Sequence, residues 1–158
     1  MGIQMKIHKL DLVNIASLRG EHTIDFDSLF HHSSLFAITG KTGSGKSTLL
    51  NAISLALYGK VYKEDSSPTD FVTLGEEFGS IELTFSSKGQ FYQASWQMRI
   101  KKKNGEYLKK PQLNRNMAIK IEGNYKNIDK QIDELINLNF DQFCKTSILN
   151  QGQFAQFL

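Results

Sequence analysis

The run Gly40-Lys41-Thr42-Gly43-Ser44-Gly45-Lys46-Ser47 constrains this chain more than any other feature, because it fits G-x-x-x-x-G-K-[ST] at every fixed position. Before it stands Leu35-Phe36-Ala37-Ile38-Thr39, a short apolar run of the kind buried inside parallel sheets. After it, residues 47–58 follow a helical pattern with Leu49, Ile53 and Ala56 along one face, and Gly59 supplies the stop. Strand, glycine turn and helix in that order are what a phosphate-binding loop needs. Polyphosphate is a dense anion, so the loop must turn several backbone N–H groups inward. Gly40, Gly43 and Gly45 permit this because they lack a Cβ, and Lys41, Thr42 and Ser44 complete the cradle. The following helix aims the positive end of its dipole at the same anion. Lys46 is expected to reach the β- and γ-phosphates, Ser47 to ligate Mg²⁺ through its hydroxyl, and Thr48 to add a contact near the α-phosphate. A dinucleotide site fits less well, because Gly43-Ser44-Gly45-Lys46-Ser47-Thr48 offers no third glycine for G-x-G-x-x-G.

Hydrolysis needs more than a cradle: an acidic residue on a neighbouring apolar strand must hold the metal, and the water must be oriented. No run of four apolar residues ends in Asp or Glu. Ile24-Asp25 and Ile132-Asp133-Glu134 follow polar residues or lie in a helical pattern, and read as solvated. The missing acid is therefore expected from elsewhere. The sequence also lacks an N-K-x-D guanine motif.

With 158 residues, 40% of them hydrophobic, the chain can bury one ordinary core. Residues 6–13 and 22–26 read as strands joined by a turn at Leu18-Arg19-Gly20. From Ser80 the period becomes two. Ile81, Leu83 and Phe85 share one face, as do Tyr92, Ala94, Trp96, Met98 and Ile100, then Met117, Ile119 and Ile121, with turns at 86–90 and 101–105. Asn127 is expected to cap a helix burying Ile128, Ile132 and Leu135, and Asp141 a shorter one before residues 148–158. The stretch 61–79 has no assignment. The expected fold is α/β: a mixed sheet, part parallel and part an antiparallel β-meander, with flanking helices.

A net charge of +3 says little when averaged over the chain. Locally, Lys88, Arg99, Lys101, Lys102, Lys103, Lys109 and Lys110 are opposed only by Glu106. The turn at Lys101 to Lys103 is either a solvated hairpin tip or a contact for DNA phosphates, while Tyr92 and Trp96 read as core. Cys144 stands alone, and His8, His22, His31 and His32 lack zinc-site spacing. No stretch approaches the roughly 20 apolar residues of a membrane span, so a cytoplasmic setting without membrane contact is expected. Met5 is a second plausible start, and residues 1–4 carry no functional weight.

Around the glycine loop, five further stretches fall into a pattern. They are Asn14-Ile15-Ala16-Ser17-Leu18-Arg19-Gly20, Ile24-Asp25-Phe26, Leu35 to Gly40, Ala52-Ile53-Ser54-Leu55-Ala56-Leu57-Tyr58, and Leu149-Asn150-Gln151-Gly152-Gln153-Phe154-Ala155-Gln156-Phe157-Leu158. Together they resemble the SbcC family, ATPase subunits of a bacterial DNA double-strand-end nuclease related to SMC-like and ABC-type ATPases. The resemblance runs from about Met5 to Leu158 and is specific at both ends and at the loop. It implies that residues 1–158 form the amino-terminal lobe of a split ABC-type P-loop NTPase head. A long coiled coil and a carboxy-terminal lobe bearing the acidic strand and signature motif would follow. It also implies that Gln151 is the Q-loop glutamine touching Mg²⁺ and the attacking water, so that Lys46 and Gln151 share the catalytic role. Ser17 and Arg19 lie in the family's early turn near the nucleotide, and Ala16 stands where eukaryotic and archaeal relatives often carry arginine. The implied cofactors are ATP and Mg²⁺. The implied partners are the carboxy-terminal lobe, an SbcD-type nuclease subunit, a second SbcC-type head in a homodimer, and double-stranded DNA. This lobe alone would be inactive. A stand-alone P-loop kinase or GTPase, and a DNA-binding module that does not hydrolyse nucleotide, remain the alternatives.

Overall fold

The computed structural model describes residues 5–29, 46–61 and 66–147, apart from the side chains of residues 29, 46, 47, 146 and 147. Strands β1 (Met5–Ile15) and β2 (Leu18–Asp25) lead through a short helix α1 (Phe26–Leu29) to helix α2 (Lys46–Tyr58). A 3-10 turn (Pro68–Phe71) precedes β3 (Phe78–Ser87), β4 (Gln90–Lys101), β5 (Tyr107–Ile121) and β6 (Asn124–Ile128). Helices α3 (Ile132–Ile136) and α4 (Phe140–Ser147) complete the described chain. The six strands form one sheet in the order β2-β1-β3-β4-β5-β6, antiparallel at every pairing. The expected parallel strand at Leu35 to Thr39 lies outside the described residues.

The two-residue period places one apolar stripe on one face. Leu10 and Leu12 of β1 face Leu83 and Ile81 of β3, which in turn face Ala94 and Trp96 of β4. All six are buried. The Phe85 and Tyr92 rings stack at 5.4 Å on the same face. Trp96 is wholly buried and Tyr92 nearly so, as core residues should be. Full burial of each aliphatic side chain here stabilises by about 1.5–3 kcal/mol, which is what fixes the register.

Helix α2 lies against this stripe. Its second half departs from the expected single face, since every residue from Ala52 to Leu57 is buried. The sheet covers one side, and Ile132, Leu135, Ile136 and Phe143 of α3 and α4 join the same core. A helix enclosed on both sides needs no polar face.

Several local expectations shift. The first hairpin turns at Ala16-Ser17, because Leu18 already belongs to β2. Asn14 and Ala16 both take φ +52 there, and the Asn14 side chain accepts a hydrogen bond from the Gly20 N–H at 2.8 Å. Asn127 caps no helix. It sits in β6, where its Oδ1 accepts from Asn116 Nδ2 at 2.7 Å, and Ile128 follows it in the strand. Helix α3 starts only at Ile132, behind Gln131. At α4 the cap is Asn139, not Asp141: Asn139 and Gln142 exchange side-chain and backbone hydrogen bonds, each at 2.9 Å. Ile121 remains 43% exposed at the end of β5, beyond the reach of the core stripe. The unassigned stretch tethers the first hairpin. Its 3-10 turn buries Phe71, the Phe71 carbonyl accepts from the Ala16 N–H at 2.7 Å, and Val72 bridges to Ile15.

Candidate nucleotide-binding site

Lys46 and Ser47 are the first two residues of α2, and Thr48 beside them is half-buried. Gly40, Lys41, Thr42, Gly43, Ser44 and Gly45 lie outside the described residues, as does Gln151. No acidic residue occupies the first turn of α2. The positive end of its dipole is therefore not offset by a carboxylate within the helix.

The opposite end of α2 is closed by the fold. Leu57 offers its carbonyl to the Arg115 guanidinium of β5 at 3.1 Å, and the Gly59 N–H donates back to Leu55 at 2.9 Å. Gly59 has φ +69, and a Cβ there would meet the guanidinium at 2.8 Å. Burial holds Arg115 below the usual arginine range, so this cation is partly desolvated where the helix carbonyls are most negative. The cavity lined by Leu57, Arg115, Asn127 and Lys130, about 420 Å³, lies at this end and not beside Lys46.

The structure places Ser17 and Arg19 on the first hairpin. Ser17 is exposed in the turn, and its carbonyl accepts from the Arg19 N–H at 3.2 Å. Arg19 pairs with Glu76 and donates to the Leu74 carbonyl at 2.8 Å. None of its described hydrogen bonds reaches α2. Asn14 organises this corner, since its backbone carbonyl accepts from Thr73 N–H at 2.9 Å and its Nδ2 donates to Phe78 at 3.3 Å. Gly79 is required beside it, because a Cβ would lie 2.7 Å from the Asn14 carbonyl oxygen. Sequence reading gave Glu76 and Arg115 no role and named Asn14 only as the first residue of the stretch 14–20.

At the basic tip between β4 and β5, Lys101 lies 4.8 Å from the Tyr107 ring centroid and Lys102 pairs with Glu106 at 3.2 Å. Lys103, Lys109 and Lys110 are exposed. Among the described residues no cluster of three or more His, Cys, Asp or Glu side chains is arranged to hold a metal. His8 is engaged with Asp27 at 2.9 Å and Ser86 at 2.7 Å. Nor is any described helix long and apolar enough to cross a membrane.

Residues 9–158 match the family described as an AAA domain. The chain belongs to that AAA domain family. Its likeness to SbcC holds along nearly its full length. The SbcC subunit of nuclease SbcCD from Bacillus subtilis is 36% identical over 160 residues, covering 98% of this chain and 14% of that protein. The Deinococcus radiodurans protein of the same name is 34% identical over 98% of this chain and 17% of its own length. A probable DNA double-strand break repair Rad50 ATPase of Aquifex aeolicus is 30% identical over 98% of this chain and 15% of its length. This AAA domain thus spans about a sixth or less of the curated relatives it matches. In three dimensions it is similar to the ATP-bound recombination mediator protein RecF, with a TM-score of 0.50 and 20% identity over 83% of this chain and 30% of that one. The fold is that of an ABC-type P-loop head lobe.

Proposed function

We propose that this AAA domain binds ATP with Mg²⁺ at the loop feeding α2, as the amino-terminal half of an SbcC-type ATPase head. The observation that carries the reading is that the lysine of the glycine motif is the first residue of α2, so that the loop is followed at once by a helix N-terminus. Lys46 and the backbone amides from Gly40 to Ser47 would hold the phosphates, and the Ser47 hydroxyl would hold the metal. Mg²⁺, when bound, supplies charge neutralisation across the phosphate oxygens. The chain's own part is to bind and orient: α2 packs in the core against the sheet, and the backbone amides of its first turn would face the phosphates. Gln151 would orient water near the γ-phosphate.

The acid that completes hydrolysis would come from a carboxy-terminal lobe. In the intact protein, two such heads would close on ATP and gate an SbcD-type nuclease subunit and access to double-stranded DNA. Calorimetry tests the site: the chain takes up ATP in the presence of magnesium, and Lys46→Ala weakens that uptake without unfolding the protein. Adding the carboxy-terminal lobe should restore ATP turnover. Phosphoryl transfer by this chain alone would favour the kinase alternative, and salt-sensitive DNA binding indifferent to Lys46→Ala would favour the nucleic-acid module.

A further inference from the structure

Tyr58, the last residue of α2, joins that helix to α4. Its hydroxyl donates to the Leu138 carbonyl at 2.8 Å, in the loop that leads into α4. Its ring meets Phe140 edge-on at 5.6 Å and leans on Phe143 at 5.4 Å, both on α4. Lys60 also reaches over the Phe140 ring at 5.7 Å. Burial, and after it the proximity of Asp133 and Cys144, raises the Tyr58 phenol well above the usual tyrosine range. The phenol therefore keeps its proton and commits it to Leu138.

The other end of the same helix is the proposed phosphate site. A helix of 13 residues is a stiff rod of about 20 Å, and a displacement of one end is delivered to the other wherever packing is tight. Arg115 ties the backbone of this end to the sheet at Leu57, whereas Tyr58 ties its side chain to α4. The rod thus ends in two attachments, one to the sheet and one to α4, the helix that immediately precedes the segment containing Gln151.

We propose that Tyr58 is a positioning residue that couples occupancy of the phosphate loop to the seating of α4. The inference rests on the ATP-binding reading, and its test separates the two. Cys144, the only cysteine in the sequence, is 4% exposed on α4 beside Phe143, so its reaction with a disulfide reagent reports how firmly α4 is seated.

The experiment measures the rate of Cys144 modification in the chain with and without magnesium and ATP, with uptake followed in parallel by calorimetry. Saturating nucleotide is expected to change the rate by about fivefold or more. Tyr58→Phe keeps the ring and loses only the hydroxyl. It should still take up ATP while its thiol rate becomes indifferent to it. A merely structural role would raise the rate in both conditions and leave their ratio unchanged. Phe140→Leu, which removes the facing ring from α4, should lower the ratio as well. ATP uptake with no rate change in the parent chain overturns the coupling alone, and an undiminished ratio in both variants overturns the role of Tyr58. Absence of uptake takes down this inference together with the reading beneath it.

Discussion

Helix α2 has two unlike ends. It opens on a lysine, a serine and a threonine with no acid in the first turn, next to a glycine run. It closes on Arg115, on a glycine in the left-handed region, and on a tyrosine bonded to another loop. Every helix leaves unpaired N–H groups at its start and unpaired carbonyls at its finish. Here the Leu55 and Leu57 carbonyls have partners in Gly59 and Arg115, and the amide end is the one proposed to await an anion. Stability effects and binding effects should therefore separate along the helix: substitutions that break the Gly59 and Arg115 closure should cost stability, and those at the opening end should spare the fold and cost affinity.

The largest effect is expected at Gly59. Gly59→Ala must hold a Cβ at positive φ and push aside a guanidinium bonded to Leu57, which should lower stability in urea by about 2–3 kcal/mol. Pairing it with Arg115→Ala removes the clash, so the two losses should fall short of additive by about 1 kcal/mol; strict additivity would mean that the guanidinium does not guard this helix end. At the opening end, Lys46→Ala should weaken ATP uptake by about tenfold or more, near 1.4 kcal/mol, with the urea midpoint nearly unmoved. A large loss of stability there would erase the contrast.

Alkali should attack the closed end selectively. Burial, and then the Asp141 charge, pushes the Cys144 thiol up to about 11 from an ordinary value of 9.0. A group whose pKa is raised on folding contributes stability that is fully present below its unfolded value and lost as pH rises through the folded one. Stability should therefore decline between about pH 9 and pH 11, and Cys144→Ser, where serine does not titrate in that range, should flatten the decline. The smallest effect lies outside α2. Ala16→Gly relieves a non-glycine residue at φ +52 and should stabilise by a few tenths of a kcal/mol net, because the relieved strain slightly exceeds the entropy glycine adds to the unfolded chain.

Strand alternation from Ile81 to Met98 was legible because side chains on a strand have a period of two, and burial of one face selects that period. The glycine motif could be recognised because its pattern is local, with glycines, a lysine and a hydroxyl within eight consecutive residues, and residues 40–45 lie outside the described residues. The helix expected behind Asn127 failed for a physical reason. Asparagine caps helices by bonding a backbone N–H, but Asn127 pairs with Ala118 across β5 and β6, and its side chain takes a hydrogen bond from Asn116 instead.

Neighbours along the chain were thus enough to show the glycine motif, the strand period and the likeness to SbcC. They were not enough to show that Arg115 closes α2, that Glu76 anchors Arg19, or that Tyr58 meets α4 across the loop at Leu138. Those pairs are separated by tens of residues and exist only in the folded molecule. Their energy arises when packing brings a donor to an orphaned carbonyl or a charge to its opposite, and no local pattern along the chain records that approach.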